Sequence, residues 1–260
     1  MTFQLRLPNI PELPEAADAS DTEGCIQCQM GSKLVLFITG HCHWMCDYCP
    51  LSENRREIDF MYANERRVEI GDWGAVIEEA RAMNATGAGI TGGDPVMARE
   101  RVLEGCRILK TEFGDGFHLH MYTSIPFKAE WAAEFAQAGL DEIRFHFLDL
   151  KAEKYRETIA ACTAAGMLTG VEIPTEPDKA DELFELLETL RGMDVQFLNL
   201  NELEITVGNH DNMVVRGFNL SDEITAGAAG SAELSVRMRD RVIAAQIGAP
   251  DPEDGEVREA

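Results

Sequence analysis

The sequence predicts an α/β fold, and two observations carry that prediction. Six runs of apolar or alternating residues recur along the chain, and a segment with helical periodicity follows each of them. Most links are short, as they are where right-handed crossovers join parallel strands. The pattern predicts a partial (β/α)6 TIM-like barrel of parallel strands, with an N-terminal arm before it and a C-terminal helix after it. A doubly wound open sheet has the same order of elements, so spacing alone leaves both architectures open.

Each element follows from a local pattern. Residues 33–39, KLVLFIT, are a continuous apolar run, which is typical of a strand covered on both faces. Residues 72–84 have apolar positions at helical spacing behind Asp72, a favoured N-cap residue. By the same criteria, the other strands are predicted at 87–91, 117–124, 141–148, 169–175 and 195–205, and the other helices at 97–113, 128–138, 152–165, 178–190 and about 232–246.

Composition divides the chain into four predicted stretches. Residues 1–31 form an N-terminal arm with three prolines, an acidic alanine-rich run and a Cys-x2-Cys pair. Residues 32–206 contain the predicted strands and form the core. Residues 207–248 form a loop, rich in Gly and Asn and able to cover a substrate, and then the last helix. Residues 249–260 are an acidic tail that we expect to be disordered.

The charge is strongly acidic, with 46 Asp and Glu against 23 Lys and Arg and a formal net charge of -23. The acidic residues are spread along the chain, which predicts a solvated acidic surface like that of cytoplasmic proteins from salt-loving microbes. An acidic face for a basic partner is the alternative. No basic stripe is present to bind phosphates, which disfavours a nucleic-acid partner.

The sequence also predicts a cytoplasmic protein without a membrane span. No run of about eighteen apolar residues occurs. The first residues lack the apolar core and the cleavage site of a secretory signal. Seven cysteines, an odd number in clustered spacings, fit metal binding in a reducing compartment better than a disulfide framework.

The stretch TGHCHWMCDYCP at residues 39–50 has the strongest chemical signal. It places Cys42, Cys46 and Cys49 at C-x3-C-x2-C spacing, with Tyr48 just before the third cysteine. Three thiolates hold three irons of a [4Fe-4S] cluster and leave the fourth iron without a protein ligand. The spacing therefore predicts a cluster with one iron open to a small molecule.

A second cysteine pair, Cys25 and Cys28, precedes the first predicted strand and leaves alternatives open. With Cys46 and Cys49 it matches the spacing of a structural zinc site, although that site would leave Cys42 unused. The pair could also help to bind an auxiliary cluster. The remaining thiol partners, which lie in predicted helices, are Cys106 and Cys162.

The stretch Gly92-Gly93-Asp94-Pro95 ends the strand that follows the cysteine loop. Two glycines let a backbone approach a ligand closely, and the carboxylate beside them accepts hydrogen bonds from an ammonium group. Taken alone, such a stretch is a common turn. Its position after the cysteine loop makes it a candidate binding element.

The cysteine loop, the GGDP stretch and the alternating elements of residues 33–205 together resemble the radical S-adenosylmethionine (SAM) superfamily. The resemblance implies that SAM chelates the open iron of the [4Fe-4S] cluster. It also implies SAM contacts from the motif residues, with Asp94 standing where the family has Glu. The implied contacts are Tyr48, Gly92, Gly93, Asp94, Thr123 and Ser124.

The family's chemistry defines the expected activity. A donor such as ferredoxin reduces the cluster, and SAM is cleaved to methionine and a 5′-deoxyadenosyl radical that abstracts hydrogen from a substrate. Within the superfamily, CIQCQ at residues 25–29, the cysteine loop and EIP at residues 172–174 resemble uncharacterised archaeal proteins related to pyruvate formate-lyase activating enzymes.

Polar residues alternate with apolar ones inside the predicted strands, so the polar set shares one face. We expect this face to line an open lumen that accepts a ligand, because a closed eight-stranded barrel fills its lumen with apolar side chains. Any one of these residues could instead be a satisfied buried polar group. The candidates for catalysis are His146, Glu172 and Asn201.

Three functions remain compatible with the residues. The first is hydrogen abstraction from a small-molecule or peptidyl substrate. The second is activation of a partner enzyme by installing a glycyl radical, which needs an open barrel face. The third is a non-catalytic binding protein stabilised by zinc on Cys25, Cys28, Cys46 and Cys49. An RNA-modifying role has no support from the acidic composition.

Overall fold

The structure, a computed structural model, describes residues 3–6, 21–221 and 226–246, with side chains for 21–221 and 226–243. In these ranges, nine strands form one sheet. They are Phe3–Arg6 (β1), Lys33–Phe37 (β2), Met61–Ala63 (β3), Arg66–Val68 (β4), Gly87–Thr91 (β5), His118–Thr123 (β6), Glu142–Phe145 (β7), Leu168–Thr175 (β8) and Phe197–Glu202 (β9).

The described helices are Glu23–Gln29 (α1), Trp73–Ala82 (α2), Arg99–Phe113 (α3), Ala129–Gln137 (α4), Arg156–Ala164 (α5), Ala180–Leu190 (α6), His210–Val215 (α7) and Ser231–Gln246 (α8). Helix α2 begins behind Asp72, whose carboxylate accepts a hydrogen bond from the Ala75 amide. Short 3-10 turns, two of which begin at a proline, precede α3, α5 and α6.

The six predicted strands are present, and they are parallel neighbours in chain order, β2-β5-β6-β7-β8-β9. A doubly wound sheet reverses its strand order at a switch point, and this sheet has no such reversal. The prediction of a partial barrel is therefore confirmed. The ladder ends at β1 on one side and β4 on the other.

Five elements were not predicted from the sequence, namely β1, α1, β3, β4 and α7. Strand β1 lies within the predicted arm and pairs antiparallel with β9. Strands β3 and β4 form a hairpin whose turn includes Asn64 at a positive φ of 52°. Helix α7 lies between residue 207 and the last helix, in the stretch that the sequence predicts as a loop. The predicted tail, residues 249–260, lies outside the described residues.

The two faces of the strands have opposite character. Apolar residues such as Leu36, Leu119 and Val171 are fully buried in one core with the apolar faces of the helices. The alternate residues converge in the lumen, where Arg144 contacts Tyr122 and Glu172. The alternation of apolar and polar residues in the sequence thus places a polar layer on the face of the sheet that lines the lumen.

Helix α1 covers the N-terminal end of the lumen. The amide oxygen of Gln27 lies 3.2 Å from the Nζ of Lys33, the first residue of β2. A Cβ on Gly24 would lie 2.7 Å from a guanidinium nitrogen of Arg144, so a larger residue there would displace the Arg144 side chain. The opposite end of the lumen, where the parallel strands finish, is left for a binding site.

Within the described ranges, no helix combines the length and the apolar character that crossing a membrane requires.

Candidate active site

The cysteine loop follows β2 directly and borders a cavity of about 870 Å³ at the C-terminal end of the strands. The three loop cysteines are free and half-buried. Burial raises the pKa of Cys46 to about 12, so metal binding there has to displace a proton. Three thiols on one wall of a roomy cavity are a donor set that fits three irons of a [4Fe-4S] cluster. The lining includes the other predicted contacts, Gly92, Gly93, Asp94, Thr123 and Ser124.

The two glycines of the GGDP stretch allow its backbone to pack closely against the start of the cysteine loop. The Gly93 amide donates to the Thr39 carbonyl, and the Asp94 amide donates to the His41 carbonyl, each at 2.8 Å. A Cβ on Gly92 would overlap the Thr39 carbonyl oxygen, and a Cβ on Gly93 would overlap that of His41. Side chains at these positions would therefore separate the two loops.

Asp94 is buried, and its carboxylate is saturated by neighbours. Oδ1 accepts hydrogen bonds from the Thr123 hydroxyl at 2.9 Å and the Val96 amide at 3.1 Å. Oδ2 accepts from the Ser124 amide at 2.8 Å and its hydroxyl at 2.9 Å. Asp94 thus links the end of β5 to the end of β6. The hydroxyl groups of Thr123 and Ser124, which were predicted to contact SAM, donate hydrogen bonds to Asp94 in this structure.

Tyr48 and His146 are joined by a hydrogen bond whose donor and acceptor can be assigned. Burial lowers the pKa of His146, so its ring is neutral. The Nδ1 lies 3.0 Å from the backbone carbonyl oxygen of Glu172, which only accepts, so Nδ1 carries the proton. The Nε2 therefore accepts the hydrogen bond from the Tyr48 hydroxyl, at 2.8 Å. Burial raises the pKa of Tyr48, which keeps that hydroxyl protonated.

A second cavity of about 430 Å³, the inner chamber, adjoins the first. The two cavities share Tyr48, Pro50, Tyr122 and His146 in their walls. The three predicted catalytic candidates, His146, Glu172 and Asn201, all line the inner chamber. Its other polar side chains are the two tyrosines and the acidic Glu202 and Glu204, and no Lys or Arg is among the described residues that line it.

Glu172 is held in place by three donors. Its Oε2 accepts from Arg144 at 2.6 Å and from Asn199 at 2.7 Å, and its Oε1 accepts from Asn201 at 3.0 Å. Arg144 also pairs with the fully buried Glu142. The guanidinium therefore compensates one fully buried and one partly buried carboxylate, and the lumen wall is a connected polar network.

The Cys25 and Cys28 pair lies on α1, at the opposite end of the strands from the cysteine loop. The Cys25 sulfur lies 3.3 Å from an Arg144 nitrogen and 3.4 Å from the Asn199 amide nitrogen, both of which are donors and not ligands. The fold thus does not bring this pair together with Cys46 and Cys49, as the zinc alternative requires. Within the described ranges, no three His, Cys, Asp or Glu side chains are grouped to ligate a single metal ion. The two other cysteines, Cys106 and Cys162, are buried in the core.

Sequence reasoning missed the residues that hold the cysteine loop from outside. Arg56 donates to the Cys49 carbonyl and to the Leu51 carbonyl, each at 2.8 Å. Asn209, in the segment before α7, donates to the Tyr48 carbonyl. No motif in the sequence marks these residues. Arg56 lies only five and seven residues from the carbonyl groups that it binds, whereas Asn209 is 161 residues from Tyr48.

Comparison with known proteins agrees with this geometry. A family model described as the radical SAM superfamily matches residues 36–176. A candidate glycyl-radical enzyme activating enzyme from Methanocaldococcus jannaschii is 39% identical over 225 residues, 83% of this chain and 59% of that protein. GTP 3′,8-cyclase from Lactiplantibacillus plantarum is 28% identical over 142 residues, 54% of this chain and 41% of that protein.

The chain therefore spans less than two thirds of the length of either relative. The family model, by contrast, covers more than half of the 260 residues and includes both the cysteine loop and the GGDP stretch. On this evidence the chain belongs to the radical SAM superfamily and is an enzyme.

Proposed function

We propose that this enzyme holds a [4Fe-4S] cluster on Cys42, Cys46 and Cys49, binds SAM in the adjoining cavity, and abstracts hydrogen from a substrate in the inner chamber. When bound, the cluster and SAM supply a one-electron cleavage that yields methionine and a 5′-deoxyadenosyl radical. The chain's own contribution is to bind, orient and enclose the reactants. A reductant such as ferredoxin is the partner that this chemistry requires.

The shared wall between the two cavities carries the proposal. A ligand in the cysteine-loop cavity faces the inner chamber across Tyr48, Tyr122 and His146. A substrate in the inner chamber would contact Glu172 and Asn201, whose side chains are fixed by the lumen network. Fixed polar groups next to a reactive centre orient a substrate without reorganising during the reaction.

The second candidate is activation of a partner enzyme by forming a glycyl radical. The name of the Methanocaldococcus jannaschii relative favours it. The substrate would then be a peptide segment of the partner protein, which would have to enter the inner chamber. Entry past the exposed residues Glu204 and Ala226, which line that chamber, is the route that this candidate uses.

Reconstituted, anaerobically purified protein tests the cluster assignment. Cys42→Ala should lose the bound iron, whereas Cys28→Ala, which changes an exposed thiol on α1, should keep about four irons per chain. Formation of 5′-deoxyadenosine in the presence of a reductant measures the activity. Equal loss of iron in both variants, or zinc in place of iron, would refute the assignment.

The two candidate substrates are separated by a second readout. Transfer of hydrogen from a partner enzyme leaves a radical on that protein, which EPR detects after mixing. A small-molecule substrate instead raises 5′-deoxyadenosine formation without a partner protein. The experiment thus separates the two classes.

A further inference from the structure

Residues 206–216, which we call the clasp, lie against the second half of the cysteine loop. The clasp is outside the part of the chain that the family model matches. It includes α7 and starts just after β9, so it spans the gap between the last parallel strand and the loop that follows the first one. Met213 on α7 is fully buried against Tyr48 in a small cluster separate from the main core.

The second half of the cysteine loop has few hydrogen bonds within its own backbone. Within it, the Cys49 amide donates to the Cys46 carbonyl at 3.2 Å. The carbonyl groups of the following residues instead accept from side chains elsewhere, including Arg56 at Cys49 and Leu51. Because buried carbonyl groups need donors, the shape of this loop depends on the residues that supply them.

Asn209 is the most buried of these donors, with 2% of its surface exposed. Its Nδ2 donates to the Tyr48 carbonyl and to the Glu204 carbonyl, each at 2.8 Å. Its Oδ1 accepts from the Thr206 amide at 2.7 Å. The three contacts define the orientation of the amide, because the reverse orientation would face its oxygen to two carbonyl oxygens.

Other clasp residues reinforce this contact. Asn212 donates to the Asp47 carbonyl at 3.0 Å, and Arg216 pairs with the Asp47 carboxylate at 3.3 Å. A Cβ on Gly208 would lie 2.9 Å from the Leu51 carbonyl oxygen, so the clasp approaches the loop as closely as backbone allows. The hydrogen bonds and the ion pair fall on Asp47 and Tyr48, between Cys46 and Cys49, and the Gly208 contact falls just after Cys49.

From these contacts we infer that the clasp, chiefly through Asn209, positions Cys46 and Cys49 for the cluster. Asn209 acts through the Tyr48 carbonyl and is a positioning residue, not a ligand. The part of this inference that concerns cluster binding rests on the proposed function, in which Cys46 and Cys49 are ligands of the cluster. Its structural part, that the clasp sets the shape of the loop, can be measured on protein without a cluster.

The test compares Asn209→Asp with Asn219→Asp, the same chemical change at an exposed residue nearby. The aspartate at 209 would put an acceptor against the carbonyl oxygens of Tyr48 and Glu204. In metal-free protein, chymotrypsin should then cut after Tyr48 about tenfold faster or more, because proteolysis tracks the population of the opened loop. Asn212→Ala, at an exposed residue, removes only the hydrogen bond to the Asp47 carbonyl and should increase the rate of cleavage after Tyr48 by a smaller factor. This variant still tests the inference if Asn209→Asp does not fold.

The second readout is the cluster itself. After reconstitution, Asn209→Asp should retain less iron than Asn219→Asp, and the EPR signal of its reduced cluster should change in shape. Unchanged cleavage after Tyr48 in both clasp variants would overturn the inference. If the wild-type protein binds no cluster, the proposed function fails, and the cleavage comparison still decides whether the clasp holds the loop.

Discussion

The hydroxyl of Tyr48 donates a 2.8 Å hydrogen bond to the Nε2 of His146. The tyrosine belongs to the loop that contains the predicted cluster ligands, and the histidine follows β7. Both residues line both cavities. This one contact therefore joins the proposed cofactor site to the proposed substrate site.

Removing one partner of this pair should cost more than removing both. His146→Ala should lower the free energy of unfolding by about 2 kcal/mol, because the Tyr48 hydroxyl would remain buried without its acceptor. The double variant with Tyr48→Phe should recover part of that loss. Urea unfolding of the two single variants and the double variant measures the coupling, and strictly additive changes would show that the contact contributes nothing.

Gly93→Ala should displace the cysteine loop. The added methyl group would overlap the His41 carbonyl oxygen, so the loops could not keep their hydrogen bonds. We expect the reconstituted variant to hold less than half of the wild-type iron. Gly116→Ala is the matched control, since a Cβ there has nothing within 4 Å. Iron content that equals the control would contradict this explanation of the glycine.

Asp94→Asn should weaken the junction between β5 and β6. An amide in place of the carboxylate turns an NH2 group toward the donors of Thr123 or Ser124, which leaves buried donors unpaired. The expected loss of stability is about 2 kcal/mol, accompanied by weaker SAM binding. Thermal unfolding and equilibrium binding of SAM measure the two effects. Weaker SAM binding without loss of stability would point instead to a direct contact between Asp94 and SAM.

His118 should make stability depend on pH on the acidic side of neutrality. Burial, with Lys33 and Arg144 nearby, lowers the pKa of His118 to about 3, whereas an unfolded histidine titrates near 6.5. The unfolded chain therefore binds more protons between these values, and stability is lost as the pH falls through that window.

The measurement is urea unfolding at pH 7.5 and 5.5. Wild-type protein should lose about 1 kcal/mol more than His118→Gln over this interval. His210→Gln, at an exposed histidine on α7, should behave like the wild type. An identical pH dependence in all three proteins would mean that His118 is not buried in its neutral form.

The parallel strands could be predicted from the sequence because each one buries at least one face. A buried face requires apolar residues, which occur as a continuous run or at every second position. Strands such as β2 and β8 are apolar or alternate with a period of two, and both were predicted within two residues at each end. The hairpin of β3 and β4 was missed because three-residue strands pair mainly through their backbone. Such pairing leaves almost no trace in the side chains.

The cavity lining was also partly predictable, since the cysteine spacing and the GGDP stretch mark two of its walls. Asn209 was not predictable, because it contacts a residue 161 positions away. An asparagine in a segment rich in Gly and Asn looks like an ordinary loop residue. Its role appears only when the fold brings the end of β9 against the loop after β2.

The most direct test of the account is the EPR spectrum of the reduced, reconstituted protein, recorded with and without SAM. The account predicts the signal of a [4Fe-4S] cluster whose shape changes when SAM is added, because one iron has no protein ligand and SAM occupies it. A cluster signal that SAM leaves unchanged would contradict an open iron at Cys42, Cys46 and Cys49.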